Sequence, residues 1–361
     1  MSLQTIIGHL DRLVACDTQN PPRLINADSG IFKHCQETVG KRFQVRTWDH
    51  GDGHVSWFAI RGKPRILFNV HLDTVPAGEG WSFNPMELQL REGGAFGLGA
   101  CDIKGAAAVL LTLVQQGAEN LALLFTTDEE GAGGCCVEHF LQSGEADRFE
   151  QVVVAEPTEC KAALAHRGFL SVKTRFFGVP GHSSEARALT DNANHQMARW
   201  AASALNIAAS SKSDDLDPGS CLNLGIISGG TKSNVIAGEA LVHWSARLKP
   251  GESNEQFLRQ MKASIPPTAR VVWEVPYSGE PLPAAGRDAA LAMDFCDRAG
   301  LPRGKDVDFW TEAALFSAAG LPALVLGPGA ITQAHTADEW VALAQLEQAF
   351  RLYGQLVQAD G

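Results

Sequence analysis

The chain has 361 residues, too many for one ordinary hydrophobic core, so two domains are the natural expectation. With 45% hydrophobic and 20% charged residues it reads as globular, and no apolar run approaches the roughly 18 residues that a bilayer span needs. A formal net charge of -11 argues against a nucleic-acid backbone as partner.

The opening Met1-Ser2-Leu3-Gln4-Thr5 lacks a basic flank followed by a long apolar stretch, so no signal peptide is expected. Residues 3–15 carry Ile6, Ile7, Leu10, Leu13 and Val14 at helical spacing, and Pro21-Pro22 ends that segment. A second helix is predicted over 28–40. Short apolar runs follow at 55–60, 66–70, 121–125, 152–155 and 323–326, with helical stretches at 105–116, 134–142 and 287–299 between several of them. Strands alternating with helices predict an α/β domain around a mostly parallel, buried sheet.

The stretch 167–280 has a different rhythm. Long alternating strands at 169–177, 222–228, 240–248 and 271–276 enclose helices at about 190–208 and 253–264, with a polar loop over 210–215. Strand, helix, strand, strand, helix, strand is the order of a small α+β sandwich. Because α/β material resumes afterwards, the domains are expected at 1–166, 167–280 and 281–361, the middle one inserted into the first. A last amphipathic helix is predicted over 341–357. The eight cysteines are scattered and form no Cys-x-x-Cys pair, which predicts reduced thiols in a cytoplasmic protein.

Chemistry gathers where the short runs end. The run 66–70 leads into His71-Leu72-Asp73, and a Gly-rich segment, 93–99, leads to Asp102. The run 121–125 leads to Asp128-Glu129-Glu130, 152–155 to Glu156-Pro157-Thr158, and 323–326 through Gly327-Pro328-Gly329 to His335. Ligands of open parallel sheets collect beyond the carboxyl ends of the strands, so these five groups are expected in one crevice. Packed carboxylates repel one another unless cations sit among them. Two imidazoles with Asp102, Glu130 and Glu156 suit two divalent ions, zinc or its neighbours cobalt and manganese, better than magnesium or calcium. In the tandem Glu129-Glu130, one acid can ligate while the other accepts and returns a proton. A dinucleotide fingerprint beginning at Gly97-Leu98-Gly99 fails because Asp102 stands where its last glycine belongs.

These segments resemble the acetylornithine deacetylase, aminoacylase and carboxypeptidase G superfamily of two-metal hydrolases. The likeness runs through His71-Leu72-Asp73-Thr74-Val75-Pro76, the segment from Gly97 through Cys101-Asp102 to Gly105, and Asp128-Glu129-Glu130. It continues through Glu156-Pro157-Thr158, Ala165-His166-Arg167-Gly168, Gly181-His182-Ser183-Ser184 and Gly327-Pro328-Gly329 with His335, so it covers nearly the whole chain. Glu156-Pro157-Thr158 and Thr311-Glu312-Ala313 look most like the acetylornithine deacetylase branch.

The resemblance implies a zinc-peptidase-type catalytic domain with a ferredoxin-like insert that serves as lid and homodimer interface. It implies two ions per chain, zinc or cobalt, one held by His71, Asp102 and Glu156 and the other by Asp102, Glu130 and His335. Asp73 would orient His71, and Glu129 would be general base and acid. The peptide bond after Asp102 is often cis in such proteins. His182 would reach the partner subunit's site and hold the oxyanion, Arg247 would take the substrate carboxylate, and Asn234 would add a neighbouring polar contact. Two departures stand out: Ala237 replaces a proline common among relatives, and Glu312 stands where distant relatives have Asp. The implied substrate is a small N-acetyl-L-amino acid of arginine biosynthesis, N-acetyl-L-citrulline ahead of N-acetyl-L-ornithine, although no residue carries that order. A dipeptidase or carboxypeptidase of the same chemistry, or a metal-binding relative without hydrolysis, are the alternatives; neither a nucleic acid nor a membrane is expected as partner.

Overall fold

The computed structural model describes residues 2–131, 134–210, 219–287 and 289–359. Of the predicted polar loop, residues 211–215 lie outside this set. Packing divides the chain into two compact units. One comprises Met1–Ala165, Asp288–Asp306 and Thr311–Gly361, the other His166–Arg287 and Val307–Trp310.

The first unit is built on a six-stranded sheet in the order Gln44–Asp49, Val55–Arg61, Leu121–Thr126, Ile66–His71, Gln151–Val154, Ala323–Val325. The last four are mutually parallel and the first two run antiparallel to their neighbours, which gives the α/β architecture expected of a mostly parallel sheet. Strands Ile66–His71 and Leu121–Thr126 are buried along their whole length because both faces are covered. Successive residues alternate between those faces. On one side Trp57, Phe68 and Phe125 join a core built with Ser2–Val14, Gly30–Val39, Gly105–Gln115 and Leu343–Ala359. On the other, Phe58 packs against Phe140 and Phe149.

Each helix shows the pattern that its position demands. Ser2–Val14 buries Ile6, Leu10, Leu13 and Val14 on one stripe. Gly105–Gln115 is buried from Gly105 to Val114, as suits an apolar segment wedged among three other helices. Three features escaped sequence patterning. The edge strand Gln44–Asp49 is largely exposed and has no apolar run. Helix Ala313–Ala318 spans only six residues. A small sheet joins Gln89–Arg91, Gly94–Phe96 and Trp340–Ala342, so the predicted last helix begins at Leu343.

The second unit follows the ferredoxin-like order. Strands Phe169–Phe177, Cys221–Gly229, Glu239–Arg247 and Arg270–Gly279 form an antiparallel sheet in which the fourth, first, third and second lie side by side. Helices Ala193–Ala209 and Asn254–Ala263 connect them. Glu239–Arg247 alternates half-buried and buried positions almost without exception, the period-2 signal of a sheet with one covered face. Its core centres on Trp200, whose ring lies 5.7–5.9 Å from those of Phe176, Trp244 and Trp273, and whose Nε1 donates to Met261 O.

Candidate active site

The carboxyl ends of the parallel strands bring His71, Glu130, Glu156 and His335 to the turn 100–104 that carries Asp102, five side chains in all. His71 closes strand Ile66–His71 and is buried. Its Nε2 lies 3.1 Å from Asp102 Oδ1 and 3.5 Å from Glu156 Oε1. His335 Nε2 lies 3.1 Å from the other oxygen of Asp102 and 2.9 Å from Glu130 Oε1. Asp102 therefore stands between two imidazoles, one per oxygen, and each imidazole has a further acid of its own. His335 adopts a left-handed backbone (φ 60°), uncommon for a residue with a side chain and concentrated at sites that require it.

Local structure explains the placement. Residues 100–104 form an irregular turn in which Asp102 and Ile103 leave helical geometry, and the Asp102–Ile103 peptide is cis. Glu156 is fixed through its neighbour Thr158, whose Oγ1 accepts from Gly327 N. Gly327 has to be glycine: a Cβ there would sit 2.3 Å from Ala155 O and 2.6 Å from Glu156 O. Glu130 N donates to Asp73 Oδ2 at 3.0 Å, and Asn20 Nδ2 donates to the same oxygen at 2.8 Å.

Asp73 reaches His71 through two of its groups. Its main-chain carbonyl is the near acceptor of His71 Nδ1, at 2.9 Å, whereas its carboxylate is 3.5 Å away. The carbonyl fixes the tautomer that leaves Nε2 facing the acids. The carboxylate spends one oxygen on the turn that carries Glu129 and Glu130. A main-chain role of this kind has no side-chain signature, and Asn20 lies too far along the sequence for any motif to join it to Asp73.

Electrostatics separates the acids. Burial pushes the Glu129 and Glu156 carboxyls well above the usual range, and neighbouring carboxylates add to it. Glu130 is raised in the same way, partly offset by the hydrogen bond from His335. Burial also works against the Asp102 charge, but the bonds from His335 and His71 prevail and hold it below the usual carboxylate range. His335, bonded to Asp102 and Glu130, is pushed up to about 11. Burial also works against the His71 charge, but Glu156 and Asp102 prevail and hold it well above the usual imidazole range.

The donor set fits divalent cations. Nitrogen and oxygen donors of His71, Asp102 and Glu130 lie within 4.8 Å of one another, and Glu156 Oε1 is buried with no hydrogen-bond partner among the described residues. Borderline metals such as zinc take this mixture of imidazole and carboxylate. A second group, His54, Asp128 and Cys136, has donors equally close. Its donors bond to one another and to Arg23, while Asp128 Oδ1 is buried with no hydrogen-bond partner among the described residues. Asp128 Oδ2 accepts from His54 Nδ1 and from Cys136 N, both at 3.0 Å, and Arg23 donates to His54 Nε2. Burial, with the Asp128 charge beside it, pushes the Cys136 thiol up.

Glu312 lies behind the cluster, bonded by Thr126 Oγ1 at 2.9 Å and pushed up to about 8, chiefly by burial. The remaining predicted residues belong to the second unit. His182 and Asn234 are exposed on two loops that run side by side, with Ser183 N donating to Asn234 O. Arg247 lies elsewhere: it ends strand Glu239–Arg247, whose start follows the Asn234 loop, so the strand's nine residues, about 26 Å, separate them. Arg247 lays its guanidinium 4.0 Å above the Phe169 ring.

An α/β sheet whose strand ends converge acids and imidazoles in this way is the frame of a metallohydrolase, and residues 67–359 match peptidase family M20/M25/M40. The chain belongs to that family. It is 43% identical to the N-acetyl-L-citrulline deacetylase of Xanthomonas campestris pv. campestris, over 99% of both chains. It is 29% identical to the acetylornithine deacetylase of Proteus mirabilis, over 94% of this chain and 90% of that one. In three dimensions it resembles the aminopeptidase PepT of Bacillus cereus, with a TM-score of 0.74 and 18% identity over 99% of this chain and 98% of the other.

Proposed function

We propose that this chain hydrolyses the acetamide of an N-acetyl-L-amino acid, N-acetyl-L-citrulline ahead of N-acetyl-L-ornithine, and releases acetate and the free amine in arginine biosynthesis. The observation that carries the reading is Asp102 set between His71 and His335, each imidazole with a further acid of its own. The substrate follows the 43% identical relative, which is an N-acetyl-L-citrulline deacetylase.

His71, Asp102 and Glu156 would hold one divalent ion and Asp102, Glu130 and His335 the other, zinc or cobalt in each case. Ions bound there would polarise the acyl carbonyl and acidify water, the usual contribution of a divalent metal to amide hydrolysis. Glu129 would take a proton from the attacking water and pass it to the leaving nitrogen. A carboxyl whose surroundings favour the protonated form suits the second half of that task.

Arg247 would pair with the substrate α-carboxylate as a planar fork. His182 would bond the oxyanion, with Asn234 beside it. Because Arg247 and the His182 loop lie a strand's length apart within one chain, they can serve one small substrate only if they come from different copies. That supports a homodimer through the inserted unit, which we read as lid and dimerisation domain. The eight unpaired cysteines suit a reducing cytoplasm.

Parallel assays of the ion-loaded enzyme on N-acetyl-L-citrulline, N-acetyl-L-ornithine, other N-acetyl amino acids and dipeptides test the proposal. Turnover of the citrulline derivative at the highest kcat/KM supports it. Equal or better turnover of a dipeptide overturns it.

A further inference from the structure

Behind Asp102 lies a carboxylate that the reaction does not use. Glu339 is buried at the entry to strand Trp340–Ala342, 237 residues along the chain from Asp102. Three amide groups converge on it at 2.9 Å: Gly99 N donates to Oε2, and Cys101 N and Asp102 N both donate to Oε1. Its main-chain carbonyl accepts from Gly97 N at 3.0 Å. One residue thereby takes four hydrogen bonds from the segment 97–102. That segment holds Gly99 in a left-handed conformation and Asp102 at φ -118°, ψ 88°, away from the helix that starts at Gly105.

We propose that Glu339 is a positioning residue that fixes the Asp102 turn, so that one oxygen of Asp102 faces His71 and the other faces His335. This rests on the reading of Asp102 as the acid shared by two ions. Three N–H donors on two oxygens demand a side chain that accepts at both atoms, which a glutamate carboxylate does and the amide of glutamine does not. Glutamine of the same shape must turn an amide NH₂ toward at least one of those N–H groups. Aspartate keeps the charge and falls one methylene short. Either change frees the turn to rotate, and Asp102 cannot then meet both imidazoles. Partners behind a ligand that orient it in this way are worth 10- to 100-fold in metal affinity or activity.

The test is competition for Zn²⁺ between the full-length protein and a chromophoric chelator, run alongside steady-state kinetics on wild type, E339Q and E339D. The expected result for E339Q is a weaker hold on at least one ion by about 10- to 100-fold, with a matching fall in kcat at limiting Zn²⁺. KM should stay within about threefold, and excess Zn²⁺ should restore much of kcat. A purely structural role would lower the yield of folded protein and its melting temperature, yet leave ion affinity per folded molecule unchanged. If folded E339Q binds Zn²⁺ as wild type does, the proposal is wrong. Should E339Q not fold, E339D carries the same decision: wild-type Zn²⁺ affinity in E339D overturns it. Failure of the wild-type chain itself to bind Zn²⁺ would instead remove the reading of Asp102 as a shared ligand.

Discussion

The first unit holds two sets of acids, and they are treated in opposite ways. Asp73, Asp128 and Glu339 are each tied to fixed N–H donors: Glu130 N and Asn20 for the first, Cys136 N and His54 for the second, three turn amides for the third. The side chains of Asp102, Glu130 and Glu156 face imidazoles instead. Burial alone therefore does not mark a ligand. The lesson lies in the donors: backbone dipoles settle a carboxylate permanently, whereas acids left facing each other are settled by something that can come and go.

The comparison breaks if the second set is indifferent to cations, so removing them is the strongest test. Stripping divalent ions with a chelator should abolish hydrolysis and lower the melting temperature, and Zn²⁺ or Co²⁺ should restore both. Unchanged turnover in the stripped protein would refute the metal reading. Next in size, Glu129→Ala should lower kcat by about 10²- to 10⁴-fold while elemental analysis still finds the ions bound. Asp73 bridges the two sets, through its carbonyl to His71 and its carboxylate to the Glu130 turn. Asp73→Asn keeps the carbonyl, so activity should fall by only about 10- to 100-fold. Asp128→Asn belongs wholly to the structural set. Urea titration should show a loss of about 1–3 kcal/mol, and Zn²⁺ affinity should not move. A large change in that affinity would dissolve the distinction between the sets.

Much of this was legible in the sequence, for a physical reason. The short, mainly apolar runs at 66–70, 121–125 and 152–155 are buried on both faces, so ionisable side chains are displaced to the strand ends. His71, the Asp128-Glu129-Glu130 group and Glu156 could thus be located along the chain, and the parallel sheet explains why they meet. In the second unit, alternation along 169–177 and 240–248 gave the strands because only one sheet face is covered. What stayed hidden depends on contacts between distant segments or on the main chain. Glu339 meets the Asp102 turn across 237 residues, and the near partner of His71 is a carbonyl that every residue type possesses. Strand Gln44–Asp49 lies at the sheet edge, where exposure erases the apolar signal.

Gathering one centre from acids and imidazoles at 71, 102, 130, 156 and 335 has a consequence for how the molecule comes into being. The entire second unit is strung between Glu156 and His335, so it is a loop whose two ends must close in the first unit. Closing a long loop costs little more than closing a short one, since each doubling of length adds only about 0.6 kcal/mol, which explains how so large an insertion is tolerated. But the pocket stays open on one side until the segment carrying His335 and Glu339 has been synthesised and docked. Two ions bound there would together act as a removable staple across five stretches of chain, and their binding energy would become resistance to unfolding. A half-made chain has no such staple to accept.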